Sequence, residues 1–234
     1  MSQVTNTTQE SIYFILTGIP GFEASHIWIS IPICCLYTIS IIGNTTILTV
    51  IRTQPSLHQP MYLFLSMLAL TDLGLTLTTL PTVMQLLWFN VRSISSEACL
   101  AQFFFLHGFS FMESSVLLTM SFDRYVAICC PLHYASILTN EVIGRTGLAI
   151  ICRCVLAVLP SLFLFKRLPF YHSHLLSHSY CLHQDMIHLV CADIRLNSWY
   201  AFALALLIII IGSSVHCDLL YTYSEKYLGH SHLG

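Results

Sequence analysis

The sequence predicts an all-α membrane protein, one bundle of about five transmembrane helices, and two observations predict it. Of 234 residues, 56% are hydrophobic and only 9% are Lys, Arg, Asp or Glu, against about 25% charged in a typical soluble domain. The apolar residues also come in long runs divided by short polar segments, whereas a soluble fold of this size needs a charged shell around one core. The solvent that suits such runs is the lipid bilayer. Nine basic and eleven acidic side chains leave a net charge of -2, so no basic field exists to hold nucleic acid. The chain shows no repeat, low-complexity tract or linker and reads as one membrane domain.

Residues 1–26 read as a polar tail, without the apolar core of a cleavable secretory signal. Asn6-Thr7-Thr8 fits the N-glycosylation pattern, which operates only where the tail reaches the lumen. Asn44-Thr45-Thr46 fits it too but lies inside an apolar run, so Asn44 is read as structural. A helix needs roughly 20 apolar residues to cross a bilayer. Residues 27–51, 61–88, 98–128 and 146–165 supply four such stretches. A fifth, 197–215, holds an uninterrupted apolar run from Trp199 to Ile211 and reaches spanning length only with Gly212, Ser213 and Ser214 included. Residues 216–234 form a cytoplasmic tail. Basic side chains do not orient the bundle: Arg52, Arg124, Arg145 and Lys226 would lie inside, Arg92, Lys166, Arg167 and Arg195 outside, an even split under the positive-inside rule.

Three ionisable side chains fall within spans: Asp72, Glu113 and Arg153. Each costs roughly 2.5 to 3.5 kcal/mol at mid-bilayer on insertion scales, so such residues usually face a bundle interior. If Asp72 and Glu113 face one cavity, the two carboxylates can share a proton or hold a small cation. In the plainer alternative each is protonated and hydrogen-bonded to Ser66, Thr71, Ser114 or Ser115. His107 lies about one and two-thirds turns before Glu113, on another face of the helix. It reads as a packing residue or a ligand contact, with small Gly108 and Ser110 beside it leaving room for either. Asp123-Arg124-Tyr125 closes the third span. Arg124 cannot deprotonate, and Asp123 offers a partner that can be released, as a switch requires, or the two are an ordinary interfacial pair.

Among ten cysteines, Cys34, Cys35, Cys129, Cys130, Cys152, Cys154 and Cys217 lie in or beside spans, where thiols behave as small apolar groups. Cys99, Cys181 and Cys191 fall on the lumenal side, where oxidation is permitted; three is odd, so one is left over. A bridge from Cys99 to Cys181 would tie the long loop across the bundle mouth. That loop also carries His172, His174, His178, His183 and His188, whose spacing matches no common zinc pattern; no metal site is expected there. Nothing in the sequence matches a nucleophile elbow, metal-ligand motif or phosphate loop, so no enzyme is expected and no catalytic residue is assigned.

Several extended motifs stand in a recognisable order. They are Gly43-Asn44 in span one, Leu57-His58-Gln59-Pro60-Met61-Tyr62 after it, and Leu70-Thr71-Asp72-Leu73-Gly74 in span two. Met112-Glu113-Ser114 and Met120 to Cys129, read MSFDRYVAIC, follow in span three, with Ser177 to Asp185, read SHSYCLHQD, in the long loop. From about Phe14 to Ile211 the chain resembles the odorant receptors of the rhodopsin-like G-protein-coupled class, in particular their fish-like class I branch. The resemblance implies a rhodopsin-like seven-helix bundle, here reduced to about five helices. It implies a Cys99–Cys181 disulfide, an odorant pocket faced by His107, Ser110, His183 and Gln184, and a sodium-type cavity at Asn44, Asp72 and Glu113 that holds Na+ and no other cofactor. Arg124, restrained by Asp123 and flanked by Tyr125, would meet the stimulatory olfactory G protein. The implied ligands are small polar odorants such as carboxylic acids, and the implied mechanism is a ligand-biased shift between inactive and active bundles.

The sequence departs from that pattern twice. Tyr171 stands where the family usually has a Cys that pairs with the position of Cys191, which leaves Cys191 unpaired. Residues 212–234 do not resemble the family and provide no sixth or seventh span. One choice of codons for them, shifted by a single nucleotide, restores a family-like continuation of span five. A frameshift after Ile211 is therefore expected, and sequencing the gene should find the two further spans downstream in the other frame. The expected location is the plasma membrane with the N-terminus outside. Two other readings are a non-signalling chain retained in the endoplasmic reticulum that pairs with intact receptors, and an ion transporter using Asp72, Glu113 and the loop histidines.

Overall fold

Each long helix begins and ends where local chemistry requires it. The computed structural model describes residues 13–18, 26–129, 131–167 and 175–182, together with 195, 199–200, 202–203 and 206–207. Helix α1, His26–Thr53, stops before Gln54-Pro55, where Gln54 takes an extended conformation, as a residue preceding proline must. Helix α2, Pro60–Phe89, has its proline at the first helical position, where no amide hydrogen is needed. It closes on Asn90 at φ 51°, the left-handed cap that asparagine tolerates. Helix α3, Ser96–Cys129, starts where the Ser95 hydroxyl accepts the Ala98 amide at 3.3 Å, with Glu97 in the first turn, an N-cap and a favourable charge at the positive end of the helix. A 3-10 turn, Pro131–His133, leads into the short α4, Tyr134–Ile137. Helix α5, Asn140–Arg167, is capped by Thr139, whose hydroxyl accepts the Val142 amide at 3.4 Å.

Among the described residues four helices, α1, α2, α3 and α5, are long and apolar enough to cross a membrane. The spanning elements are all α-helical, as expected. Helix α2 packs between α1 and α3, and α3 packs against α5. The fifth stretch, 197–215, lies largely outside the described residues, as do Asn6, Tyr171, His183, Gln184, Cys191 and 216–234. Where the fifth stretch is described, the Tyr200 hydroxyl donates to the Ala157 carbonyl on α5 at 2.8 Å.

To the bundle the structure adds a small sheet that hydropathy does not reveal. Strand β1, Tyr13–Leu16, pairs antiparallel with β2, Ser93–Ser95, and parallel with β3, Leu175–Leu176. The stretch read as a polar tail is thus partly structural. Tyr13 and Ile15 face out while Phe14 and Leu16 are 0% and 1% exposed, the period-two burial of a strand, too short to register beside runs of spanning length. The larger described core forms under this sheet, where Phe14, Leu16 and Leu176 meet Leu86, Phe103, Val158 and Phe165. Its position is physical: between lipid-embedded helices there is no hydrophobic drive, so apolar burial counts most where the bundle meets water.

Within the bundle, contact comes from small residues. A Cβ on Gly74 of α2 would sit 2.5 Å from the Phe109 ring of α3, so only glycine lets that ring lie on the α2 backbone. Hydroxyls on these helices turn back one turn, as Thr46 does to the Ile42 carbonyl at 2.7 Å and Ser115 to the Phe111 carbonyl at 2.8 Å, which satisfies them without water. Gly74→Val should push the Phe109 ring off α2 and lower the thermal unfolding midpoint of the purified chain, whereas Gly43→Ala, whose added Cβ meets nothing within 4 Å, should leave it within the scatter of wild type.

Candidate functional site

Three groups of polar side chains stand along the bundle: one at the end carrying Cys99, one in the middle, one at the end carrying Asp123. At the first, Cys99 and Cys181 are joined in a disulfide with Cα atoms 5.5 Å apart, and both are fully buried. Gln102, one turn along α3 from Cys99 and 6% exposed, braces the junction. Its amide nitrogen donates to the Thr78 carbonyl at 3.0 Å and the Thr82 hydroxyl at 2.9 Å, and its amide oxygen accepts the Cys181 backbone amide at 3.0 Å. One side chain so links α2, α3 and the loop. Thr17 holds β1 to that loop through its hydroxyl and its amide, both donating to the Leu176 carbonyl, at 2.6 and 2.9 Å.

His107 lies half-buried one turn beyond Phe103, the ring centroids 4.6 Å apart, and Phe103 in turn meets Phe165 edge-on at 5.3 Å. His107 is therefore built onto the aromatic core beneath the sheet. Ser110 is exposed, its hydroxyl donating to the Leu106 carbonyl at 2.9 Å.

The middle group is a ladder between α1 and α2. The Tyr37 hydroxyl donates to Thr79 at 2.9 Å, Ser40 and Thr76 share a hydrogen bond at 3.1 Å, and Asn44 reaches Ser40 at 3.5 Å. Asn44 also hydrogen-bonds the Asp72 carboxylate, and Glu113 on α3 lies within electrostatic range of Asp72. The structure so pairs Asn44 with Asp72 and sets Glu113 near enough to feel the Asp72 charge. Of the alternative partners, Ser66, Thr71, Ser114 and Ser115 each hydrogen-bond a carbonyl of their own helix. Arg153 is exposed on α5. Among the described residues no three His, Cys, Asp or Glu side chains form a metal-binding group.

At the far end Asp123 is 1% exposed and Arg124 approaches it, Nε to Oδ2 3.7 Å, with half its side chain exposed. The short, well-formed contact comes from elsewhere: the Tyr134 hydroxyl on α4 donates to Asp123 Oδ1 at 2.7 Å. Tyr125 instead stacks on Phe122 with centroids 6.3 Å apart. Burial pushes the Tyr134 phenol up to about 12, helped by its bond to Asp123 and by that carboxylate's charge, while Arg124 opposes.

A family model described as Olfactory receptor matches residues 33–225. The chain belongs to the olfactory receptor family. It is 91% identical over 211 residues to human Olfactory receptor 51Q1, an alignment covering 90% of this chain and 67% of that relative. It is 60% identical to human Olfactory receptor 51G2, over 83% of this chain and 62% of the relative, and 55% identical to human Olfactory receptor 51F1, over 85% and 62%. This olfactory receptor chain, of the class I branch, spans about two thirds of the length of those relatives. It is a multi-pass membrane protein of the G-protein-coupled class and not an enzyme.

Sequence reasoning missed Gln102, Tyr134 and the ladder partners Tyr37, Ser40, Thr76 and Thr79. A signal for the ladder existed: Tyr37, Ser40 and Asn44 on one helix and Asp72, Thr76 and Thr79 on the next repeat at three to four residues, a polar stripe on each. Gln102 and Tyr134 carry no comparable pattern.

Two outcomes follow. Gln102→Leu strands the buried Cys181 amide and should cost about 2 kcal/mol of stability, read as a lower unfolding midpoint that Cys99–Cys181 reduction lowers less in the variant than in wild type. Tyr134 binds its proton more tightly folded than unfolded, so its contribution is complete below the unfolded value near 10 and is lost as pH rises through about 12. Isotope-labelled tyrosine NMR should find Tyr134 still protonated at pH 11, and Asp123→Asn should bring its titration down.

Proposed function

We propose that this chain carries the odorant-sensing and G-protein-contacting surfaces of a class I receptor, with the N-terminus and the Cys99 end outside. The observation that supports the reading best is helix α3. One continuous element of 34 residues is pinned by Cys99 and Gln102 at one end and carries Asp123 and Arg124 at the other, so a displacement under the sheet is transmitted to the far end.

His107 and Ser110, with His183 and Gln184 from the loop, face a small polar odorant such as a carboxylic acid. Asn44, Asp72 and Glu113 hold a sodium ion that favours the inactive bundle. Tyr134 and Asp123 restrain the Arg124 end, and an odorant acts by binding better to the bundle in which that restraint is released, since a ligand shifts an equilibrium only by its differential affinity. Arg124 and Tyr125 then meet a stimulatory olfactory G protein.

The test is a cyclic AMP assay in cells expressing the chain, with surface labelling of an N-terminal tag and a panel of short carboxylic acids. A response at the surface that Arg124→Ala abolishes and Tyr134→Phe raises at rest is the expected result. A tagged chain confined to the endoplasmic reticulum and silent to every acid would overturn it in favour of a non-signalling chain.

A further inference from the structure

Between α3 and α5, near the Cys99 end, lies a groove of about 450 Å³, a volume within the roughly 300 to 1,000 Å³ of small-molecule sites. Its wall is apolar: Leu100, Phe104 and Phe105 from α3 and Leu162 from α5. Leu100 belongs to the buried core and Phe104 and Leu162 pack against it, so the floor is continuous with that core. At the rim stand two opposite charges, Glu97 in the first turn of α3 and Lys166 near the end of α5. Both are exposed, and among the described residues neither enters an ion pair within 4.0 Å. Two opposite charges that face one groove without closing on each other leave space for a dipole between them.

We propose that this groove is a binding site for a zwitterionic phospholipid from the adjacent leaflet. One acyl chain lies along the four apolar side chains, the headgroup phosphate meets Lys166, and the quaternary ammonium meets Glu97. The groove lies between two helices long and apolar enough to cross a membrane, and the charged rim lies at the helix ends, where lysine side chains reach the headgroup level. An anionic lipid would satisfy Lys166 and be repelled by Glu97, so the acid is what selects for the zwitterion. Filled, the groove would wedge α3 against α5 just below the disulfide. The site is distinct from the odorant-facing residues proposed above, and its test does not require signalling.

The full chain is reconstituted in phosphatidylcholine vesicles with a trace of phosphatidylcholine bearing a photoactivatable carbene precursor on its acyl chain, irradiated and mapped by mass spectrometry. Adducts are expected on residues 100–105 and on Leu162 in excess of those on the outward face of α1 at Trp28, Leu36 and Ile39, which reports bulk lipid. Glu97→Gln with Lys166→Gln should cut groove labelling about fivefold with α1 labelling and the disulfide unchanged. Ala101→Trp, which fills the groove without touching either charge, should do the same. A phosphatidylglycerol probe should label the groove less than the phosphatidylcholine probe. Equal labelling of groove and α1, full labelling of the uncharged variant, or preference for phosphatidylglycerol would each overturn the proposal.

Discussion

The hydrocarbon of a bilayer offers no hydrogen bonds, and the architecture of this chain follows from that constraint. Every polar group carried into the membrane must be satisfied by the chain itself. The cheapest solution is local, a hydroxyl turned back to the carbonyl one turn earlier, and most serines and threonines of the helices take it. Where a side chain cannot do so, it must find a neighbouring helix. Tyr37, Ser40 and Asn44 find Thr79, Thr76 and Asp72, and in doing so they set the register of α1 against α2. Gln102 does the same between α2 and α3. Apolar contact between helices supplies no such register, because lipid tails are as apolar as leucine.

The two ends of the bundle meet water and are built by a different rule. At the Cys99 end apolar burial regains its value, and the chain uses it to draw the N-terminal strand, two loops and three helix ends over one core. The disulfide closes a segment of 82 residues, which restrains the unfolded chain by on the order of 4 kcal/mol in the chain-entropy picture. At the Asp123 end the buried carboxylate is satisfied by one phenol at close range and one guanidinium at longer range. That is a weaker closure than the one at the mouth. A helix fixed firmly at one end and held at the other by a few polar contacts is suited to transmit a displacement.

The positions that share a site were only partly visible beforehand. Asn44, Asp72 and Glu113 could be singled out because charge and amide groups are rare in apolar runs and therefore conspicuous. The triplet at Asp123 was conspicuous for the same reason. Its nearest partner was not: Tyr134 lies eleven residues on, in a loop where a tyrosine is unremarked, and only the return of α4 against α3 brings it to Asp123. Gln102 was hidden likewise, as one amide in a helix whose other polar residues drew more attention. Tyr125, grouped with Asp123 and Arg124 by adjacency, turns to Phe122 instead, since neighbours in a helix point in different directions.

The amino-acid sequence by itself determined the solvent, the helices that cross it and the family. Hydropathy over some twenty residues is a local sum, and a motif is a local string, so neither needs a partner to be read. The three-stranded sheet, the α1–α2 ladder, the brace at Gln102 and the Tyr134–Asp123 bond were decided only by the tertiary structure. Each joins groups from distant parts of the chain through a hydrogen bond or a strand pair a few ångströms long. Whether two such groups meet depends on helix register and loop path, which no local pattern of residues encodes.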